Sequence, residues 1–323
     1  MLVTGGSGFI GSTLVRALVH AGYHVRVLSR SSTVLKRLKD RRVTVHKGDL
    51  TIAESLKGIA EGIGIVCHLA GVLGETCPNQ TYYHRLHVQG TTNLLKECAN
   101  HPIEKLIHCS TTGVLGPVNE GIADESHPYN PSNVYEATKA EGEKVVLKFA
   151  QEKKLPVTVL RPGMVYGPGD MHHLGLYWSI KKGYFFLINS GKSYLDPVFV
   201  EDVAHAFLKA VQNAHTSGEV YTIAGPKPVT VCELAQTIAS ALGHPRNFPN
   251  VPKGVALALA QILFCLSRLI PFEPPLTTNR VKFLTESRAC SIKKAREQLS
   301  YEPIGLEEGI IRTVSWYKAH GYL

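Results

Sequence analysis

This 323-residue chain has no apolar run long enough to cross a bilayer. The longest, within Gly254 to Phe272, holds roughly a dozen apolar residues before Ser267 and Arg268, whereas a spanning helix needs about twenty. No charged, apolar and small-residue leader opens it either, because Leu2 and Val3 already read as the start of a strand. Export is therefore not expected, and the cytoplasm is the expected compartment. The seven cysteines (Cys67, Cys77, Cys98, Cys109, Cys232, Cys265 and Cys290) form no CxxC pair and no zinc-type spacing. An odd, scattered set in mostly apolar surroundings reads as reduced structural thiols. The neighbours His172 and His173 have no partner pattern for a metal, so none is expected. The net charge is +9, but the basic residues are spread out and no stripe alternates them with aromatics, so nucleic acid is not an expected partner. Repeats and low-complexity tracts are missing as well, which excludes solenoids and tails.

What is present is a chain 44% hydrophobic and 19% charged, long enough for one large domain and a smaller one. Its first recognisable device is TGGSGFIG, Thr4 to Gly11, between a short apolar strand start and a helical pattern through Leu14, Leu18 and Val19. Gly5 permits a tight turn, Gly8 lets backbone approach a pyrophosphate, and Gly11 lets helix and strand pack closely. A strand, turn and helix in that order place phosphates on a helix N-terminus.

The second device is Tyr135 to Lys139. Residues four apart lie on one helix face. A phenol ordinarily titrates near 10, and an ammonium beside it favours the phenolate. Tyr135 is then expected to exchange a proton with a substrate oxygen while a hydride moves at the attached carbon. Thr111 is expected to hold that oxygen through its hydroxyl.

Together with HLAG at His68 to Gly71, STT at Ser110 to Thr112, YEATK at Tyr135 to Lys139 and RPGMVYGPGD at Arg161 to Asp170, the glycine turn resembles an extended short-chain dehydrogenase/reductase. The likeness covers essentially the whole chain. It implies an α/β fold: a Rossmann-type doubly wound parallel sheet with a smaller, discontinuous C-terminal substrate domain. Residues 1–166, with returns at about 194–224, would bind the dinucleotide, and residues 167–193 and 225–323 would form the substrate part. The implied catalytic trio is Thr111, Tyr135 and Lys139.

The cofactor residues implied are Gly5, Ser7, Gly8, Phe9, Ile10, Gly11, Arg30, Asp49, Leu50, Leu69, Ala70, Gly71, Pro162 and Val165, besides Tyr135 and Lys139. Asp49 is open to a second role, capping the next helix. Strand two ends in Ser29 and Arg30, where NAD-preferring folds usually place an acid for the ribose. Arg30 with Ser29, Ser31 and Ser32 suits a 2′-phosphate, so NADP is expected over NAD. The stretch HVQGTTNLL resembles the family's NVxGTxNLL, with His87 in place of the first Asn.

Two substrate classes remain. Nucleotide-sugar 4-epimerases and dehydratases keep NAD bound and return the hydride to the same molecule. Hydroxysteroid dehydrogenase-like and dihydroflavonol reductase-like members show net redox. Met164 stands where the sugar enzymes commonly carry Asn, and Tyr194, Leu195, Asp196 replace their RDF-like triplet. Both changes remove polar diphosphate ligands and favour an apolar alcohol or ketone (steroid-like, lipid or phenolic), near Thr112, Val72 and Met164. The tail resembles the 3β-hydroxysteroid dehydrogenase and sterol-4α-carboxylate dehydrogenase branch, with Ala295, Leu299 and Ile311 expected to face the core. A non-catalytic nucleotide sensor is disfavoured because Tyr135 and Lys139 are both kept. Residues 254–272 are expected as a buried or half-buried helix, with Val255 to Phe264 as a peripheral membrane contact or greasy lip the alternative. Helices around Tyr82 to Ala99 and Asn133 to Lys153 are those that relatives pair in dimers, so a homodimer is expected.

Overall fold

The computed structural model describes residues 1–31, 40–73, 80–118, 121–268, 270, 274 and 276–323. The first half alternates strands and helices: β1 (Leu2–Thr4), α1 (Phe9–His20), β2 (Val25–Ser29), β3 (Val43–Lys47), β4 (Ile65–His68), α2 (Gln80–His84), α3 (Thr91–Cys98), β5 (Lys105–Cys109), α4 (Val134–Lys153) and β6 (Val157–Pro162). A π-helical turn, Arg85–Gly90, joins α2 to α3. The second half holds β7 (Met164–Tyr166), α5 (Leu174–Lys182), β8 (Leu187–Ile188), β9 (Tyr194–Leu195), β10 (Pro197–Phe199), α6 (Val200–Gln212), β11 (Val220–Ile223), β12 (Val229–Thr230), α7 (Val231–Ala241), β13 (Asn250–Val251), α8 (Lys253–Ser267), α9 (Thr278–Thr285), α10 (Lys293–Leu299) and α11 (Leu306–Ala319).

Seven of these strands form one parallel sheet in the order β11-β6-β5-β4-β1-β2-β3. Its strands are nearly continuous apolar runs, as a sheet covered on both faces requires: β1, β5 and β6 are buried along their whole length. One face carries α1 and α6, whose Leu14, Leu18, Val203 and Phe207 pack over Val3, Val27 and Ile107. The other carries α3 and α4 through Leu94, Leu95 and Val146 against Leu2, Val66 and Leu106. The strand order reverses between β1 and β4, the place where such sheets open a crevice at their carboxyl edge. A separate core, with Tyr177, Ile180, Phe199, Leu234, Ile238, Ile310 and Tyr317, packs α5, α7 and α11 together.

The elements read from sequence recur with small shifts, β4 being shorter at both ends and α6 beginning at Val200 rather than Ala204. Two expectations are corrected. Ile311 is 49% exposed and its neighbour Ile310 is fully buried, so the apolar stripe of α11 runs one position earlier than periodicity suggested. In α8 only Ala256 and Ala260 are buried, while Val255, Leu259, Ile262, Phe264 and Leu266 face outward. The helix packs its small residues on Ile188 and Val281. Residues 269, 271 and 272 of that stretch lie outside the described residues, as do Cys77, Ser32 and most of the basic run after β2. No helix among the described residues is long and apolar enough to cross a membrane.

Candidate active site

The carboxyl edge of the sheet collects the residues singled out in the sequence. At the end of β1 the chain turns sharply: Gly5 has φ +72°, and a Cβ there would meet Leu69 and Ala70 backbone at 2.8 Å. A Cβ on Gly11 would sit 2.1 Å from the Gly5 carbonyl oxygen, so α1 lies directly on the turn. Gly8, the N-cap of α1, differs: a Cβ there would meet only the Gly5 oxygen at 3.3 Å, and Ser7 and Gly8 are exposed. Two glycines thus close the turn and the third leaves its outer face open at a helix N-terminus, which fits a dinucleotide pyrophosphate. Phe9 and Ile10 are half-buried behind it.

Arg30, just beyond β2, is exposed, and its guanidinium donates to the Tyr82 hydroxyl at 3.4 Å. Asp49 accepts from the Thr51 amide and hydroxyl, both at 2.8 Å, and so caps its own turn. Leu50 is 4% exposed and packs in the core, and its carbonyl accepts from Asn93. The π-helical turn lies against it, since a Cβ on Gly90 would meet the Leu50 Cβ at 3.0 Å. Leu69 and Ala70 follow β4 and are tied to Thr4 through backbone and hydroxyl. Gly71 lies against His87. Pro162 ends β6, and Val165 lies in β7, paired with β10 beside Met164.

Thr111 caps the 3-10 turn Thr112–Leu115, its hydroxyl accepting from the Gly113 amide at 3.1 Å. That turn packs on Glu136 of α4. Asn133 caps α4, accepting from the Glu136 amide at 2.9 Å, so Tyr135 stands in the first turn and Lys139 one turn on. The Thr111 hydroxyl lies near enough to the Tyr135 phenol to lower it somewhat. Lys139 is 7% exposed, and its ammonium donates to the Cys109 carbonyl at 2.6 Å. The structure therefore brings Thr111, Tyr135 and Lys139 into one cluster. Ser110 is not available for Thr111's place, since it is buried and donates to the Glu143 carboxylate. Thr112 is half-buried, one step further along the turn.

One electrostatic expectation is reversed. Burial raises the Tyr135 phenol above its ordinary value and outweighs the lowering by Thr111. Burial also lowers Lys139. Tyr135 is thus held as a neutral phenol, the form that donates a proton.

Sequence reasoning missed what supports this cluster. Glu143, fully buried, accepts from Tyr129 at 2.8 Å and from Arg161 at 2.6 Å. Glu136 accepts from Arg288 at 2.7 Å. The signals were single letters in otherwise amphipathic segments, and only the fold brings them together. His173 pairs with Asp170 at 2.7 Å, and no group of potential metal ligands occurs among the described residues.

The family model for "NAD dependent epimerase/dehydratase family" matches residues 1–224, more than half of the chain. The chain belongs to that family. Within it, this member is an enzyme of the extended short-chain dehydrogenase/reductase type. It is similar to 3beta-hydroxysteroid-dehydrogenase/decarboxylase isoform 1 of Arabidopsis thaliana, 30% identical over 97% of this chain and 78% of that one. It is also 31% identical to 2-alkyl-3-oxoalkanoate reductase of Stenotrophomonas maltophilia, over 97% of each chain. Among solved structures it resembles the NAD complex of UDP-glucose 4-epimerase from Thermus thermophilus, with TM-score 0.76, 26% identity and 98% of each chain covered. NAD dependence is thus the family's property.

Proposed function

We propose that this enzyme interconverts a secondary alcohol and a ketone on an apolar substrate, steroid-like, lipid or phenolic. The observation that carries this reading is the gathering of Thr111, Tyr135 and Lys139 where β5 and α4 meet, with Lys139 anchored on the Cys109 carbonyl and the phenol buried. The dinucleotide would be held by the glycine turn, by Arg30 at its ribose end, and by Leu69 to Gly71 beside its nicotinamide end. When bound it supplies the hydride. Tyr135 gives its phenolic proton to the carbonyl oxygen as the alkoxide develops, and takes it back in the oxidative direction. Thr111 fixes the same oxygen, and Lys139, its ammonium anchored on Cys109, stands one turn behind the phenol. Val72, Thr112 and Met164 would line the apolar end.

The substrate classes printed for the two relatives above, a hydroxysteroid and an oxoalkanoate, support an apolar substrate over a nucleotide sugar. We further propose NADP as the preferred cofactor, because Arg30 is an exposed cation at the end of β2. Residues 167–193 and 225–323 would form the substrate side. The α3 and α4 helices, with the π-helical turn ahead of α3, would pair with a second copy; their exposed residues include Arg85 and Gln89 of that turn, Lys96, Glu141 and Lys144, so the dimer would be of the polar kind. Light scattering at micromolar concentration would then give twice the chain mass, and a monomer mass would remove that proposal.

The test of function is to follow NADPH and NADH absorbance against hydroxysteroids, keto lipids, aryl ketones and UDP-sugars. A stoichiometric change with an apolar alcohol or ketone, at a lower Michaelis constant for NADPH, is the expected result. Conversion of a UDP-sugar to its epimer without net cofactor change would overturn it.

A further inference from the structure

His87 stands in the π-helical turn between α2 and α3, 3% exposed, where the family pattern has an asparagine. Its ring touches both sides of the site. The Val72 amide donates to Nε2 at 3.1 Å, which makes Nε2 an acceptor and places the ring proton on Nδ1. Nδ1 lies 3.0 Å from the Thr138 hydroxyl oxygen, and the Thr138 hydroxyl in turn donates to the Tyr135 carbonyl at 3.0 Å. Every donor in this chain meets an acceptor, so it fixes one tautomer and one direction: Val72 amide, His87, Thr138, Tyr135 carbonyl. The ring also stands edge-on to the Tyr135 phenol, with centroids 5.7 Å apart.

The backbone makes this reach possible. A Cβ on Gly142 of α4 would meet the His87 carbonyl oxygen at 2.5 Å, and one on Gly71 would meet Nε2 at 3.3 Å. Glycines at both contacts let the turn, α4 and the loop after β4 converge on one imidazole. The wider π-helical turn itself is a device often found at functional sites.

A second chain runs beneath. The Ala70 amide donates to the Thr4 hydroxyl oxygen at 3.2 Å, and Thr4 lies 2.6 Å from His68 Nδ1. His68 Nε2 lies 2.9 Å from Thr91, which donates to the His87 carbonyl at 2.6 Å. His87 is therefore tied through its carbonyl to the glycine-turn strand and through its ring to the helix of Tyr135. An asparagine at this position is shorter than imidazole and would reach less far from the turn toward Val72 and Thr138.

We propose that His87 is a positioning residue that locks the loop Gly71–Val72 to the catalytic helix, setting the distance between the bound dinucleotide and the Tyr135 phenol. The inference rests on the dinucleotide reading above. The test compares the parent with His87→Leu, His87→Gln and Thr138→Val, measuring NADPH and NADH dissociation constants by fluorescence and amide exchange of the peptide containing Val72. His87→Leu is expected to weaken dinucleotide binding at least about ten-fold and to speed Val72 exchange. His87→Gln, which can return an acceptor to the Val72 amide, is expected to recover most of both. Thr138→Val is expected to leave binding within about three-fold but to lower turnover on the substrate found by the panel. If His87→Leu does not fold, Thr138→Val still carries the test, since parental turnover in that variant would overturn the lock. Parental affinity and exchange in a folded His87→Leu would do the same. A parent that binds neither NADPH nor NADH would instead overturn the dinucleotide reading itself.

Discussion

At the scale of the residue, the glycine turn was legible because its constraint is local. A tight turn at Gly5 and a helix resting on a carbonyl at Gly11 each forbid a Cβ, while Gly8 leaves the outer face open, so the spaced glycines carry their roles in the letters themselves. Gly11→Ala tests this: with backbone 2.1 Å from the new Cβ, α1 must lift off the turn. The expected cost is about 1–3 kcal/mol, read as a lower melting temperature, together with weakened NADPH binding. An alanine variant as stable and as tightly binding as the parent would show that the turn adapts. The charge state of Tyr135 was not legible. Spacing placed an ammonium one turn away, but whether proximity or desolvation wins depends on how deeply the phenol is enclosed, and here burial wins. His87 could be noticed as a departure, yet its partners Val72 and Thr138 lie 15 and 51 positions away.

At the scale of the element, periodicity located strands and helices and erred where two faces are alike. In α11 the adjacent Ile310 and Ile311 differ by one position in phase, and packing chose Ile310. The π-helical turn that presents His87 has no signature in HVQGTTNLL. For α8, an apolar run announces a helix but not which side it buries, and the structure leaves Val255, Leu259, Ile262, Phe264 and Leu266 exposed. Between Glu233 and Glu273 the sequence has no acidic residue, while Arg246, Lys253 and Arg268 are present. An apolar face flanked by cations matches an anionic lipid surface, and we propose that α8 rests on one. The protein is expected to sediment with phosphatidylserine-containing vesicles, less so at high salt, and Ile262→Glu is expected to cut the bound fraction several-fold without changing the melting temperature. Failure of the parent to sediment, or unchanged binding by Ile262→Glu, would exclude this role.

At the scale of the whole molecule, the doubly wound parallel sheet was legible through the resemblance carried by the ordered motifs, and the sheet order β11-β6-β5-β4-β1-β2-β3 agrees with it. The buried titratable groups were not, and they set the pH response. Burial lowers His68 and His87 to about 3, and lowers His108 well below its ordinary value. The unfolded chain would protonate all three below about pH 6.5, so it binds more protons than the native state and stability falls as pH drops. Each histidine contributes a slope of roughly 1 kcal/mol per pH unit between about pH 6 and 4. Asp196 and Asp202, raised by burial to about 7 and about 6, act in the opposite sense and offset part of it. The net expectation is a melting temperature that falls below about pH 6. His108 has no hydrogen-bond partner on either ring nitrogen among the described residues; His108→Leu is therefore expected to be neutral or stabilising at pH 7 and to shallow the acid limb, as thermal melts from pH 4 to 8 would reveal. A steeper limb in that variant would contradict the assignment.

The central claim, that the crevice runs redox chemistry through a neutral phenol, is tested most directly by Tyr135→Phe. This change keeps the ring beside His87 and Tyr83 and removes only the hydroxyl. With the substrate identified by the panel, turnover is expected to fall by about 10²–10⁴, while NADPH affinity stays within about two-fold of the parent. Undiminished turnover in a correctly folded variant would take the proton transfer away from Tyr135 and, with it, the account of this site.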